Sequence, residues 1–286
     1  MNHLHMGGAT TLLGYPADAR LLIINADDFG LCHAINAAIL RSLKDGIVCS
    51  TTVMVPCPWA LHALQLLREN PAIPFGVHLT VICDSVHYQW GPLTCRDKVP
   101  SLIDEAGYFY RLERIPDLLA QATLDDLDVE FRAQIDTVLA ANLQPTHLDW
   151  HCLPNGGRPD IFDLTLELAN EYGLAVRVAG HPFVANTQRQ GLPTNDHDLL
   201  DSFRLATGDK ATRYAQLLRD LPVGLSEWAV HPGLDTAELR AIQLDGTQVR
   251  QTDLDFLISA EARELIQQEG ITLLSYKPLQ QAWHAS

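Results

Sequence analysis

The chain has 286 residues, of which 47% are hydrophobic and 19% are charged, and its formal net charge is −15. This length and apolar content suit one large α/β domain with a sizeable core. The acidic balance argues against nucleic acid and anionic membranes as partners, because both present phosphates that Lys and Arg must neutralise. No apolar run approaches the roughly 20 residues that span a bilayer.

Short apolar, β-branched runs alternate with longer helical patterns along the chain. The predicted strands are 20–25, 47–55, 74–82, 146–151, 174–178, 226–231 and 271–276. The predicted helices are 32–46, 59–70, 125–142, 159–173, 209–221 and 259–270. This alternation is typical of a parallel sheet covered by helices. About seven such units predict an α/β fold, a distorted (β/α) barrel.

The ends of the chain and its insertions complete the predicted organisation. Residues 1–19 lack the pattern of a signal peptide and are interpreted as a flexible N-terminal extension, and residues 20–286 as a single domain. Polar insertions near 83–120 and 179–208 follow strands, and such loops lie on the face of a parallel barrel that carries chemistry. Six cysteines without CxxC spacing indicate reduced thiols and favour a cytoplasmic location.

Polar residues stand at the carboxyl ends of several predicted strands. They are Asp27, Asp28, His78, His147, Asp149, His151, Arg177 and His231. Because these ends converge at one mouth of a barrel, we expect the side chains to meet. Period-two alternation puts His147, Asp149 and His151 on one face of their strand, where histidines and a carboxylate together suit a metal ion. His147 and Asp149 can also orient the ligands rather than bind the metal.

Simpler interpretations apply to each of these residues alone. Adjacent aspartates before a helix can be a cap, and a buried histidine is more often a hydrogen-bonded core residue than a ligand. Cys152 follows His151, but neighbours on a strand point to opposite faces, so a Cys/His nucleophile is not favoured. The coincidence of several such residues at one barrel mouth favours a site. Phosphate-loop, GxGxxG, GxSxG and HExxH motifs are absent from the sequence.

Several segments together resemble one known family. "LIINADDFGL", "STTVMV", "GVHLT", "GPL" before "VPSLIDEAGYFY", "PTHLDWH", "YGLAVR" and "HPG" with "RQTDLDFL" occur in the order found in the YdjC-like carbohydrate deacetylases. That family includes chitooligosaccharide deacetylase and hopanoid-associated deacetylases. The resemblance covers residues 20–276. It implies a (β/α) barrel related to the polysaccharide deacetylases, and a metal-dependent hydrolase that removes acetyl groups from N-acetylated sugars.

The resemblance also implies roles for individual residues. Asp28, His78 and His151 match the metal ligands, and Asp27 matches the catalytic base. Arg177 would lie beside Asp27, and His231 of "HPG" resembles an acid/base histidine. One divalent ion is implied; Zn²⁺ is preferred, with Co²⁺, Ni²⁺, Mn²⁺ and, less naturally, Mg²⁺ as alternatives. The turn at Phe29-Gly30 is expected to let both aspartates face inward.

This sequence departs from the family after "HLDWH". Relatives continue with further histidines, whereas here the chain reads "HCLPNGGRPD", with Asn155 at a following inward position and Trp150 replacing a small residue. Trp150 and Asn155 are therefore predicted to contact the ligands or the substrate. Tyr88, Trp90, Tyr108 and Tyr110 either form a stacking wall for a sugar or anchor their loop.

Three hypotheses remain open at this point. The first is an N-deacetylase acting on a small acetylated sugar. The second is a metal-dependent amidase acting on a non-sugar amide, which the altered segment after His151 favours. The third is an inactive sugar-binding relative, against which the intact polar residues argue. The sequence leaves the oligomeric state open, and a homodimer is one alternative.

Overall fold

The structure is a computed structural model that describes residues 8–205 and 208–284. The strands are β1 (Arg20–Phe29), β2 (Ser50–Val53), β3 (Phe75–Leu79), β4 (Ile82–Cys83), β5 (Tyr110–Arg111), β6 (His147–Trp150), β7 (Ala175–Val176), β8 (Leu200–Asp201), β9 (Gly224–Val230) and β10 (Ile271–Leu273). The α-helices are α1 (Ala9–Leu12), α2 (His33–Asp45), α3 (Ala60–Glu69), α4 (Ile115–Gln121), α5 (Leu124–Ala140), α6 (Pro159–Tyr172), α7 (His181–Arg189), α8 (Lys210–Arg219), α9 (Ala237–Ile242), α10 (Leu244–Leu257), α11 (Ala260–Gln268) and α12 (Lys277–His284).

One parallel sheet organises the fold. Its strand order is β7-β6-β3-β2-β1-β9-β8, and β10 pairs with the first residues of β1. No strand pairing within the described residues joins β7 to β8, so the barrel is open on that side. The prediction of a distorted (β/α) barrel of about seven units is confirmed.

Strand β1 runs through the centre of the sheet, and its two faces meet different environments. Leu22 and Ile24 join the large core under the helices. On the opposite face Leu21 and Ile23 pack with Leu225 and Tyr276. Both faces are covered, which explains why the strand reads as a continuous apolar run. The interior face turns from apolar to polar towards the carboxyl end of the strand, where the aspartates lie.

A chain of side-chain contacts crosses the interior of the barrel. The Tyr276 hydroxyl donates a 2.5 Å hydrogen bond to Glu227 Oε2, and its ring stacks on His147 at a centroid distance of 3.6 Å. Glu227 Oε1 in turn accepts a 2.6 Å hydrogen bond from Arg177 Nε. This chain of contacts connects β6 to β9 through the interior.

The N-terminal segment differs from its prediction as a flexible extension. Residues 9–12 form a helix, Ala9 is buried, and its amide donates a 3.1 Å hydrogen bond to Asp196 Oδ1. Residues 1–7 lie outside the described residues. A local sequence pattern could not reveal this helix, because its contact residue Asp196 is far away along the chain.

The insertions contain regular elements that the sequence did not predict. The segment 83–120 includes β5 and α4, and the segment 179–208 includes α7 and β8, with positions 206–207 outside the described residues. Helix α10 also lies outside the predicted elements, and it carries a residue of the site. In the part of the chain that the structure describes, no helix combines the length and apolar character needed to cross a membrane.

Gly76 on β3 provides a test of the interior packing. A Cβ atom there would lie 2.5 Å from the His147 carbonyl oxygen and 2.6 Å from its ring. We expect Gly76→Ala to lower the free energy of unfolding by about 1–3 kcal/mol, because backbone cannot retreat as a flexible side chain can. Urea unfolding measures the change. Gly208→Ala is the control, since its Cβ would meet nothing within 4 Å. Equal midpoints for the two variants would contradict this account.

Candidate active site

Asp27 and Asp28 both face the barrel mouth although they are neighbours on one strand. Asp28 adopts φ 72°, and the pairing of β1 with β2 shifts register between Ala26 and Phe29. A non-glycine residue in this left-handed region is uncommon and costs of order 1–3 kcal/mol. The device that turns both carboxylates inward is therefore Asp28 itself, and the prediction that placed it at Phe29-Gly30 was one residue late.

Three side chains converge with their ligand atoms close together. Asp28 Oδ1 lies 3.5 Å from His78 Nε2 and 3.3 Å from His151 Nδ1, and all three atoms lie within 4.8 Å of one another. Ligands held about 2.0–2.1 Å from a tetrahedral ion stand about 3.4 Å apart. The spacing and the mixed oxygen and nitrogen donors fit a divalent cation.

Asp149 orients His78. The imidazole Nδ1–H donates a 2.7 Å hydrogen bond to Asp149 Oδ1, so Nε2 is the ring nitrogen that faces Asp28. Thr52 donates to the other oxygen of Asp149 at 3.0 Å. Burial disfavours the imidazolium, but the Asp149 charge outweighs burial and raises the pKa of His78 to about 9. A carboxylate behind a histidine in this way fixes its tautomer and increases its basicity as a ligand.

Arg250 completes the surroundings of Asp28. Its Nη2 donates a 2.6 Å hydrogen bond to Asp28 Oδ2, and its side chain is almost fully buried. Burial alone would raise the pKa of Asp28, yet the Arg250 guanidinium and the two histidines hold that pKa well below its usual range. The sequence pattern does not indicate Arg250, because this residue lies on α10 rather than at a strand end.

Arg177, which directly follows β7, holds the carboxylate of Asp27 in place. The guanidinium reaches the two Asp27 oxygens at 2.7 and 2.8 Å, and Asn25 Nδ2 donates to Asp27 Oδ1 at 2.8 Å. Burial opposes ionisation, but Arg177 dominates and keeps the pKa of Asp27 far below its ordinary value. Arg177 also reaches Asp149 at 2.8 Å, so the two aspartates share one cation.

His231 lies on the other side of Asp27. Its Nε2 stands 3.9 Å from Asp27 Oδ2, and its Nδ1 lies 2.9 Å from Ser202 Oγ. The Phe203 ring packs edge-on against the imidazole at a centroid distance of 4.7 Å. Ser202 and Phe203 belong to the 179–208 insertion, so this insertion supplies part of the site.

One cavity of about 300 Å³ is lined by seven of these residues, which are Asp27, Asp28, His78, His151, Arg177, His231 and Arg250. Its walls also carry an apolar set, which comprises Leu112, Trp150, Leu153, Pro154, Leu199 and Phe203. Asn155 lines it as well, with its amide bonded to both backbone groups of Ala179 at 2.5 and 2.9 Å. The cavity thus combines charged groups with an apolar wall.

Some predicted residues lie elsewhere. His147 faces the interior as predicted, but it stacks on Tyr276 deeper in the barrel, and burial lowers its pKa to about 3. Tyr88, Trp90, Tyr108 and Tyr110 are not among the cavity's lining residues. Tyr88 instead donates to the Leu31 carbonyl at 2.9 Å. Tyr88 thus anchors its loop, and Trp150 and Phe203 are the aromatic side chains that line the cavity.

Cys152 was wrongly expected to face away from His151. Strand β6 ends at Trp150, and Cys152 adopts φ 58°, so the alternation of a strand no longer applies. Its Sγ lies 3.3 Å from His151 Nε2, and the residue lines the cavity.

Comparison with known proteins identifies the family. The model of the YdjC-like protein family matches residues 21–268. The chain belongs to this family. A carbohydrate deacetylase from Brevibacillus brevis is 32% identical, over 90% of this chain and 99% of the relative. A chitooligosaccharide deacetylase from Yersinia enterocolitica is 31% identical, over 90% and 98%. A crystal structure of an Enterococcus faecalis V583 protein is similar with a TM-score of 0.79 and 29% identity, covering 91% of this chain and 99% of that one.

In this YdjC-like protein, the buried contacts of Arg177 predict that this residue has a large effect on stability. Arg177→Met leaves Asp27, Asp149 and Glu227 without their shared cation, so the free energy of unfolding at neutral pH should fall by about 3–5 kcal/mol. In the wild type, the low pKa of Asp27 stabilises the native state above about pH 4, and this contribution is lost in acid. In the variant, the unpaired carboxylates destabilise the native state at neutral pH, and their protonation removes this destabilisation as pH falls. The difference in free energy of unfolding between the variant and the wild type should therefore become smaller as pH falls.

Urea unfolding at pH 7.5 and pH 4.5 measures both effects. Arg240→Met is the matched control, because Arg240 pairs with Asp235 on the exposed surface and its loss should leave the midpoint close to wild type. A neutral-pH midpoint for Arg177→Met equal to that of the control would disprove the role of the buried network.

Proposed function

We propose that the protein is a metal-dependent hydrolase that removes the acetyl group from an N-acetylated sugar or short oligosaccharide. The observation that carries the proposal is the convergence of Asp28, His78 and His151 beside an aspartate locked by Arg177. Membership of the YdjC-like family supports it, as do the names of the relatives, a carbohydrate deacetylase and a chitooligosaccharide deacetylase.

Asp28 Oδ1, His78 Nε2 and His151 Nδ1 would hold one divalent ion. Three protein ligands leave at least one position open, as catalytic metal sites require. A bound cation would polarise the acetyl carbonyl and lower the pKa of water. The donor set suits Zn²⁺, Co²⁺, Ni²⁺ or Mn²⁺ better than Mg²⁺, which prefers oxygen ligands.

Asp27 is the proposed general base. Its carboxylate is ionised because Arg177 holds it in that state, and it lines the cavity next to the metal ligands. It can accept the proton of the attacking water. Arg177 positions this base: the two-point contact fixes the plane of the carboxylate, and the bond to Glu227 fixes the guanidinium.

His231 is the proposed general acid. An amide anion is a very poor leaving group, so the sugar nitrogen must be protonated as the C–N bond breaks. A histidine can supply that proton near neutral pH. The 3.9 Å separation of His231 Nε2 from Asp27 Oδ2 allows both groups to serve one reaction centre.

A non-sugar amide is the second candidate substrate. The apolar wall with Trp150, Leu153 and Phe203 favours it, since such a surface accepts an aromatic group as readily as a sugar ring. Measuring acetate released from N-acetylglucosamine, diacetylchitobiose and simple acetanilides separates the candidates. Release from the anilides alone would favour the second.

Substitutions of the two adjacent aspartates should have different effects on metal binding and turnover. Asp28→Ala should lose bound metal, because it removes a ligand. Asp27→Asn should keep metal while kcat falls by roughly 10²–10⁴-fold, because an amide cannot accept the proton. Elemental analysis and acetate release measure the two properties, and chelation should abolish turnover of the wild type.

Asp45→Asn, an exposed substitution, is the control for both variants and should match the wild type. Full turnover by Asp27→Asn would show that Asp27 is not the general base. Wild-type activity that survives complete removal of metal would show that the reaction does not need a metal.

The role of His231 can be tested through the leaving group. His231→Ala should lower turnover of an N-acetyl sugar by roughly 10²–10⁴-fold. The loss should be much smaller for N-acetyl-p-nitroaniline, whose nitroaniline departs with little protonation. The ratio of kcat/KM values for the two substrates, in wild type and variant, is the measurement. An equal loss on both substrates would argue against a general acid.

A further inference from the structure

His151 presents its two ring nitrogens to two different groups of side chains. Nδ1 faces Asp28 in the proposed catalytic metal site. Nε2 lies 3.3 Å from Cys152 Sγ and 3.9 Å from Asp84 Oδ2. The proposed function uses neither Asp84 nor Cys152, although both line the cavity.

The backbone is built to bring Cys152 into this position. With φ 58° the residue leaves the extended conformation just after β6, and this turn directs the thiol back beside the ring of the residue before it. Left-handed backbone is unfavourable for a residue with a Cβ, so the conformation has a cost. Cys152 in this conformation places a sulfur donor next to a nitrogen donor.

One carboxylate oxygen of Asp84 has no hydrogen-bond partner among the described residues. Its side chain is only 7% exposed. Gln243 Nε2 donates to Oδ2 at 2.6 Å, whereas Oδ1 is buried and has no hydrogen-bond partner among the described residues. Arg250 is near enough for its charge to interact with Asp84; its Nη2 donates to Asp28, and its Nη1 is buried and has no hydrogen-bond partner among the described residues. A buried carboxylate oxygen without a partner is costly, and a cation is the partner that suits it.

We propose that Asp84, His151 and Cys152 form a second cation site, selective for a thiophilic divalent ion such as Zn²⁺. Their oxygen, nitrogen and sulfur atoms all lie within 4.8 Å of one another. Around zinc such donors stand about 2.0–2.3 Å from the ion, which places them about 3.3–3.6 Å apart. The thiol proton passes to solvent when the ion binds, because the thiolate is the ligand.

The shared histidine couples the two sites. Two cations held on the two ring nitrogens of one histidine would repel each other, which weakens the second binding event. The coupling is reciprocal, so emptying the first site should strengthen the second. Asp84 and Cys152 line the cavity of the proposed reaction. The second ion would therefore bind at high metal concentration, in the cavity where substrate binds.

Titration of the metal-free full chain with Co²⁺ tests this inference. The wild type should bind two equivalents, the second more weakly and with a thiolate-to-cobalt charge-transfer absorption. Cys152→Ser should retain the first equivalent and lose the absorption. Cys95→Ser is the matched control, since Cys95 is an exposed cysteine outside the cluster, and it should retain both.

Asp28→Ala separates this inference from the proposed function. It should lose the first equivalent and keep the thiolate absorption, which should now appear at a lower Co²⁺ concentration. A wild type that binds one equivalent without thiolate absorption would overturn the second site, as would an absorption that survives in Cys152→Ser. A wild type that binds only the thiolate-associated ion would uphold the second site and remove the first.

Discussion

The buried guanidinium of Arg177 is the group on which the rest of the site depends. It reaches Asp27, Asp149 and Glu227 at 2.6–2.8 Å, and these residues come from three different strands. These contacts span the side of the barrel where no described strand pairing closes the sheet. One cation thereby joins the strands, keeps Asp27 ionised and, through Asp149, sets the tautomer of His78.

The carboxylates of this arrangement outnumber its arginines. Arg177 serves three carboxylates and Arg250 pairs with Asp28, so two guanidinium groups face four carboxylates. Buried charge of this kind does not maximise stability, because desolvation offsets much of the attraction. It is what a site needs if a divalent cation is to bind there. The left-handed Asp28 adds local strain for the same end.

Local patterns predicted much of this site. Apolar runs and helical spacing located the strands of the barrel, and the parallel topology implied that polar residues at their carboxyl ends would meet. Asp27, Asp28, His78, His151, Arg177 and His231 all lie in one cavity. His147 shows the limit of the method: alternation predicted its face correctly, but its position two residues before Asp149 places it about 7 Å deeper, against Tyr276.

By itself the sequence determined which residues alternate, which strands are covered on both faces, and hence which polar side chains share the barrel mouth, because these properties follow from the period of a strand and the direction of a parallel sheet. Only the tertiary structure decided that Arg250 reaches Asp28 from a helix, that Ser202 and Phe203 reach His231 from an insertion, and that Cys152 turns back to His151. Contacts between distant segments and single left-handed residues leave no trace in a local period. They arise when the whole fold compensates a conformation or a buried charge that the segment alone would avoid.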